Sequence, residues 1–385
     1  MYEAPSNTIP LESVEALRRE LKDVFTLTDT TLDFPEAGQV RFRGYFISDP
    51  ADCYDELRSR FERHGYTPLV RPAEQGVMVV ALPAVFDPPD SNWIINLVLF
   101  LVTIVSTLYA GAINEPQFTG TEFWLGWPFS LSMLLILGAH ELGHYFAARY
   151  HKVPVTLPYF IPFPTFIGTM GAFIRLKAPI KNRRALLDIG AAGPLAGMVF
   201  AVPVLIIGLL TSPVGPPGTG AYFQEGNSVV YLLAKLVVHG RCLPDHALVC
   251  TMVDALQGGG TAAQATMDVQ LNQVAWAGWV GLFVTGLNLI PVGQLDGGHI
   301  SYVLFGKRAR RFFWPAIGGL VLLGLLTGTT TWWLWILLLF VFGRSYAQPL
   351  DDVTRLDTRR RAIAIFALVL FFLVFVPIPL QVVTP

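Results

Sequence analysis

Residues 123–144 read FWLGWPFSLSMLLILGAHELGH. The stretch 123–139 carries no charge and runs directly into His140, Glu141 and His144. A membrane-spanning helix needs about 20 mostly apolar residues, so this reads as a span that ends in three ionisable side chains. On a helix, the i,i+4 spacing puts both imidazoles on one face, where they can share one metal ion. Neutral imidazole is a good zinc ligand, and Glu141 is placed to act as general base. A lone histidine on an apolar face is usually a satisfied core residue. The H-E-x-x-H triplet inside a span resists that reading, because ionisable groups in a membrane helix are costly and functional by default.

Further apolar windows flank this one. Residues 91–114 precede it, and 189–211, 269–295 and 362–381 follow. Residues 312–343 are long enough for a hairpin of two short spans turning at Thr327-Gly328-Thr329-Thr330-Thr331. The expected fold is a polytopic α-helical membrane protein of six or seven transmembrane helices. Composition agrees: 53% of the 385 residues are hydrophobic, 14% are charged, and mean hydropathy is +0.50. Soluble globular proteins carry about 25% charged residues, so a soluble enzyme with one large core is disfavoured and disorder is excluded. The net charge of −1 gives no footprint for nucleic acid.

Charge is distributed unevenly. Residues 1–90 hold 16 acidic and 9 basic residues, 25 of the 55 charges in the chain. This predicts a small soluble α+β domain over 1–88, with helices over 11–25 and 50–64 and strands over 38–48, 67–71 and 76–83. It is followed by a transmembrane domain over 91–385. No apolar stretch follows the charged first 20 residues, so no secretory signal peptide is expected.

Loop charge orients the spans. The first loop holds Glu115 and Glu122 and no base; the second holds Arg149, Lys152, Arg175, Lys177, Lys181, Arg183 and Arg184. Later clusters are Lys307 to Arg311 and Arg344 to Arg361. Seven spans put all three basic clusters on one side with the N-terminal domain, which is then the cytoplasm. The 212–272 loop falls outside; Cys242 and Cys250 within it leave a bridge and two free thiols both open. Residues 153–180 are apolar but broken by Pro154, Pro158, Pro162 and Pro164, which forbid a straight helix. The alternation from Gly171 to Lys177 fits a β hairpin at the membrane surface, whose free edge can accept an extended peptide.

A catalytic zinc wants three protein ligands and an open position. Residues 286–299, GLNLIPVGQLDGGH, contain Asp296, the only acid between Asp268 and Asp351. Pro291 and Gly293 break the helix just before it. Irregular backbone at membrane depth is tolerated only inside protein or around a wet cavity, so Asp296 is the candidate third ligand. The Asn288 amide suits a substrate carbonyl or an oxyanion, with helix–helix hydrogen bonding as the alternative. His299 is either a supporting group or a polar interface residue.

His140-Glu141-Leu142-Gly143-His144, joined to Asn288-x-x-Pro291-x-x-x-Leu295-Asp296-Gly297, resembles the site-2 protease family of intramembrane zinc metalloproteases. Gly168-Thr169-Met170-Gly171-Ala172-Phe173, residues 188–197 (DIGAAGPLAG) and Gly226-Asn227-Ser228 resemble its archaeal, cyanobacterial and plastid branch. The resemblance covers a catalytic core of about 92–305. It implies one catalytic zinc ion held by His140, His144 and Asp296, with Glu141 as base. It also implies a membrane-lying strand near 168–177 that presents substrate, which makes Gly168 and Gly171 substrate-binding candidates beside Asn288. The expected function is hydrolysis of peptide bonds within or near transmembrane segments of membrane-protein substrates. The expected setting is the lipid bilayer of a prokaryotic inner, cytoplasmic membrane. The competing class is a non-proteolytic zinc-binding transporter or scaffold, which should line successive spans with polar groups; the other windows lack them. Members often carry PDZ or CBS modules. Neither is found, and the 212–272 loop is too short for a full PDZ domain.

Overall fold

The computed structural model describes residues 8–34, 36–113, 115–216, 222–241, 243–244 and 267–383. Cys242 and Cys250 lie outside the described residues. Two hydrophobic cores organise the described residues.

The first core belongs to the charged N-terminal stretch. Helix α1 (Leu11–Leu21), strands β1 (Phe25–Leu32) and β2 (Val40–Phe46), helix α2 (Pro50–Glu62) and strands β3 (Thr67–Pro72) and β4 (Val77–Leu82) form a helix-on-sheet unit. The sheet order is β1-β2-β4-β3, antiparallel throughout. Val14, Leu17 and Leu21 of α1 and Tyr54, Leu57 and Phe61 of α2 are buried with Val40, Phe42, Val70 and Val79 of the sheet. Asp49 caps α2 by accepting from the Ala51 amide, and Pro50 supplies a pre-set φ at its first position. The helix expected over 11–25 stops at Leu21, and β1 follows. The Thr-rich FTLTDTTL has β-branched residues but no clean apolar alternation, which is why it escapes a pattern reading.

The sheet does not end at β3. Val70 bridges in parallel to Asp351, and the Val70 amide donates to the Leu350 carbonyl at 2.8 Å. Leu350 is itself part of the N-terminal core. The same segment pairs on its other side with Asn182. Lys181 meets Asp55 at 2.5 Å and Arg184 meets Asp49 at 3.6 Å. The N-terminal unit is therefore fastened to the face that carries the Lys181–Arg184 and 349–355 segments.

The second core is helical. Its elements are α3 (Trp93–Ala112), α4 (Trp127–Tyr150, entered through the 3-10 turn Phe123–Gly126), α5 (Arg183–Leu210), α6 (Val229–His239), α7 (Gln273–Asn288), α8 (Asp296–Phe305), α9 (Phe313–Thr327), α10 (Thr331–Phe342) and α11 (Thr358–Val374). Short antiparallel pairs join β5 (Tyr159–Pro162) to β6 (Thr169–Phe173), β7 (Val214–Gly215) to β9 (Asp268–Val269), and β8 (Tyr222–Glu225) to β10 (Leu380–Val383). Among the described residues four helices are long and apolar enough to cross a membrane: Trp93–Ala112, Phe123–Tyr150, Arg183–Leu210 and Asp296–Thr327. The 269–295 window yields only the 16-residue α7, because the chain leaves the helix before Pro291. The 362–381 window yields α11, which starts earlier and stops before Pro377. Helices α9 and α10 are joined at Gly328, whose φ of +66° closes the turn.

Helix α3 displays the solvent it was built for. Asn96, Thr103 and Thr107 are buried, while Ile94, Ile95, Leu97, Val98, Leu101 and Val105 are exposed. The Asn96 amide donates to the Leu157 and Pro158 carbonyls at 2.8 and 3.0 Å. The Ser106 hydroxyl donates to the Gly168 carbonyl at 2.6 Å, and the Thr107 and Ser130 hydroxyls meet at 2.7 Å. Polar groups inward and aliphatic groups outward is the arrangement an apolar surround requires.

Candidate active site

The strongest helix–helix packing is of α4 on α5 and of α5 on α7, and the candidate site lies where these helices meet the start of α8. His140, Glu141 and His144 sit in the interior of α4 and are buried. The Nε2 atoms of His140 and His144 are 3.1 Å apart, as i,i+4 spacing requires for rings aimed at one point.

The His144 ring has a defined proton position. Its Nδ1 lies 2.7 Å from the Ile189 carbonyl on α5. A carbonyl only accepts, so Nδ1 donates and the Nε2 lone pair is free for a ligand. Gly193, one turn along α5, makes this possible. A Cβ there would lie 2.0 Å from His144 Nε2, so the imidazole fits only against a glycine.

Asp296 arrives from a separate element. Helix α7 ends at Asn288, the chain turns through Pro291 and Gly293, and α8 begins at Asp296. Gly293 has a φ of +62° and its Cα side touches Gly343, where a Cβ would come within 2.3 Å of the Gly343 Cα. This tight turn aims the first acid of α8 back at α4. Its Oδ2 is 3.3 Å from His140 Nε2 and its Oδ1 is 3.4 Å from His144 Nε2. The three ligand atoms all fall within 4.8 Å of one another, the only such group of histidine, cysteine and acid ligands among the described residues.

This donor set fits a tetrahedral ion. Zinc–ligand bonds of about 2.0–2.1 Å put neighbouring ligands about 3.3 Å apart, close to the three observed separations. Two imidazoles and one carboxylate leave one coordination position open, as in catalytic rather than structural zinc sites.

A cavity of about 260 Å³ opens beside the triangle. His140, Glu141, His144 and Asp296 line it with Asn288, His299, Gln294 and Leu295. Its opposite wall is Ala172, Phe173, Ile174 and Leu176, the end of β6 and the residues after it. Asn288 makes no side-chain hydrogen bond among the described residues, so its amide is available to the cavity. His299 also faces the cavity, with its buried Nδ1 lacking a partner. Gly168 and Gly171 lie elsewhere on the hairpin: Gly168 is pressed against α3, and Gly171 sits within β6 with open space around it. Leu295 belongs to the motif that carries the family resemblance, whereas Gln294 was singled out by nothing but its position close to Asp296. The Gly226-Asn227-Ser228 stretch lies away from the cavity. It ties the 212–272 loop to α7, because the Gly226 carbonyl accepts from Trp279 Nε1 at 2.7 Å, and Ser228 caps α6.

Comparison with known proteins places the chain among its relatives. The sequence profile of peptidase family M50 matches residues 128–324. "Probable zinc metalloprotease EGY2, chloroplastic" of Arabidopsis thaliana is 29% identical over 97% of this chain and 66% of its own length. "Probable zinc metalloprotease EGY1, chloroplastic" of the same plant is 32% identical over 75% of this chain and 54% of its own length. A rice "Probable zinc metalloprotease EGY3, chloroplastic" (Oryza sativa subsp. indica) is 24% identical over 65% and 42%. The chain thus spans between 42% and 66% of the length of these plant relatives. No solved structure matches it.

Proposed function

The chain belongs to peptidase family M50, and from that premise we propose that it is an intramembrane zinc endopeptidase that cleaves membrane proteins within or near their transmembrane segments. The observation that carries the reading is the buried triangle of His140, His144 and Asp296 with Glu141 beside it, facing a cavity walled by a β strand. His140, His144 and Asp296 would hold one zinc ion, which when bound supplies Lewis-acid polarisation of the scissile carbonyl and acidifies a water molecule.

The remaining work falls to the chain. Glu141 takes the proton of the attacking water and returns it to the leaving amine. The Asn288 amide donates to the carbonyl oxygen as negative charge develops there. A helical substrate hides its carbonyls in hydrogen bonds, so it must be unwound locally; an edge running past Ala172, Phe173 and Ile174 would hold it extended. Burial of the site keeps bulk water out except through the cavity.

The reading extends to the whole chain. Residues 91–385 form the membrane domain, with α9 and α10 as a hairpin of two short spans, α7 and α11 as further spans, and the β5–β6 hairpin at the bilayer surface. Residues 1–88 form a domain on the cytoplasmic side of a prokaryotic inner membrane, the side that carries the basic clusters. The plant relatives are described as chloroplastic.

The test is Glu141→Gln, reconstituted in liposomes with a single-span membrane protein as substrate. The variant should keep its metal and lose about 10²–10⁴-fold in cleavage rate. Cleavage at the wild-type rate would overturn the assignment.

A further inference from the structure

A second cavity, of about 200 Å³, lies away from the candidate metal centre, between the 3-10 segment Gly306–Phe312, the start of α9 and the chain leaving α10. It is lined by Arg310, Phe313, Trp314, Arg344 and Tyr346. Among the described residues neither arginine has an acidic partner, and the sequence holds no acid between Asp296 and Asp351. Lys307, Arg308 and Arg311 add to the same field.

The two arginines frame a shaped cleft. The Arg344 guanidinium stacks 3.8 Å from the Phe340 ring centroid, which fixes its plane. The Tyr346 hydroxyl donates to the Ala309 carbonyl at 3.1 Å, which fixes one wall against the segment that carries Arg310. Two arginines lining one hollow suit a phosphate ester, whose oxygens accept in pairs from a guanidinium.

The surface next to the cleft identifies the source of that phosphate. Trp314, on the first turn of α9, is 65% exposed. Gly318, Leu322, Leu325 and Leu326 continue its face along the helix, and the leucines are exposed too. Nothing lies within 4 Å of where a Cβ on Gly318 would be, so the helix surface between Trp314 and the leucines is open at this glycine. An aromatic at the rim, cations above and aliphatic side chains below is the profile of a bilayer interface. We infer that this cleft binds the phosphate headgroup of an anionic phospholipid, with an acyl chain lying along α9.

The site borders the turn that carries Asp296. Ser345, next to Arg344, accepts a hydrogen bond from Gln294 Nε2 at 2.6 Å. The inference nonetheless stands apart from the protease reading, because its test reads bound lipid and no cleavage.

The full chain is purified in mild detergent, mixed with phosphatidylglycerol or phosphatidylcholine, and retained lipid is counted by mass spectrometry of the intact protein. Wild type should retain one phosphatidylglycerol in preference to phosphatidylcholine, and millimolar inorganic phosphate should not displace it. The Arg310→Gln/Arg344→Gln pair should bind at least about tenfold more weakly, because each guanidinium supplies charge-assisted hydrogen bonds to the phosphate. The Arg308→Gln/Arg311→Gln pair, equal in charge but off the cleft, should retain the lipid. Equal retention of the two lipids by wild type, or displacement by phosphate, overturns the proposal without any variant. So does unchanged retention in the first pair, or equal loss in both pairs. If the glutamine pair does not fold, Arg344→Lys serves in its place. It keeps the charge and loses the fork, so several-fold weaker retention is expected and unchanged retention counts against the cleft.

Discussion

His140 and His144 bring their Nε2 atoms to 3.1 Å, and Asp296 closes the triangle with one oxygen towards each. Two imidazole lone pairs aimed at one point repel each other unless something positive lies between them. A zinc ion satisfies all three groups at once. Chelation should therefore lower stability as well as abolish cleavage. Restoring zinc at about 1,000 times its dissociation constant should return about 4 kcal/mol, read as a rise in thermal midpoint in detergent. Asp296→Asn keeps the shape and loses the charge. It should weaken zinc by more than about a hundredfold, beyond what an outer-sphere partner costs. A midpoint that ignores zinc in wild type would count against the metal site.

Among the glycines of α5, Gly193 has the closest approach to the His140–His144–Asp296 group. A methyl there would lie 2.0 Å from His144 Nε2, whereas one at Gly197 would meet His140 Nδ1 at 3.2 Å. The first contact forces the imidazole off its rotamer; the second needs a few tenths of an ångström of relief. Gly193→Ala should lose its metal on dialysis and Gly197→Ala should keep it. Metal analysis of the two purified variants checks this, and equal retention would mean that α4 and α5 part more easily than their packing suggests.

These positions differ in how far the sequence exposed them. H-E-x-x-H was legible because polar residues at helical spacing are conspicuous in an apolar span, and Asp296 because no other acid stands near it. The cavity wall was partly legible: alternation suggested a strand over Gly171–Lys177 and the family resemblance one near 168–177, and β6 covers Thr169–Phe173, but which residues face the site depends on how β6 lies across α4. Gly193 sat in a recognisable small-residue run, yet its contact with His144 arises only when two helices pack. Strand β1 was missed because threonine and aspartate blur its alternation. The pairing of Leu350 with Val70 joins residues 280 apart in sequence, and no local pattern encodes so distant a partner.

Lys235 on α6 is fully buried, with Asp268 at 2.7 Å, Glu225 at 3.7 Å and the Tyr231 ring centroid at 4.3 Å. Tyr231 donates its hydroxyl to the same Glu225 carboxylate at 2.8 Å. Replacing the lysine leaves two carboxylates facing each other without a cation. Lys235→Met should cost about 3–5 kcal/mol. Adding Glu225→Gln and Asp268→Asn should recover most of that loss, because the uncompensated charges are then gone. Thermal unfolding of the single and triple variants distinguishes this from lost packing, for which the added changes would not help.

The N-terminal unit should not be removable without cost. Residues 349–352 run between it and the helical bundle: Val70 pairs with them on one side, and the Leu350 and Asp351 amides donate to the Ile180 and Lys181 carbonyls on the other, both at 2.8 Å. The Arg71 guanidinium donates to the Pro349 and Leu350 carbonyls at 2.9 and 2.7 Å. Asp352 accepts from the Tyr302 hydroxyl on α8 at 3.0 Å and meets Arg183 of α5 at 3.3 Å. A chain beginning at residue 89 would expose Leu350, now 2% accessible, forfeiting about 2–3 kcal/mol of apolar burial. It would also free one side of the connection between α10 and α11. The truncated protein should unfold at lower temperature and be nicked by protease within 344–357, where the full chain is protected. Leu350→Asp in the full chain should speed cleavage in the 83–92 linker, as the N-terminal unit loses its hold on the bundle. Unchanged midpoints and cleavage patterns in both proteins would make residues 1–88 an appendage that the helical bundle does not need.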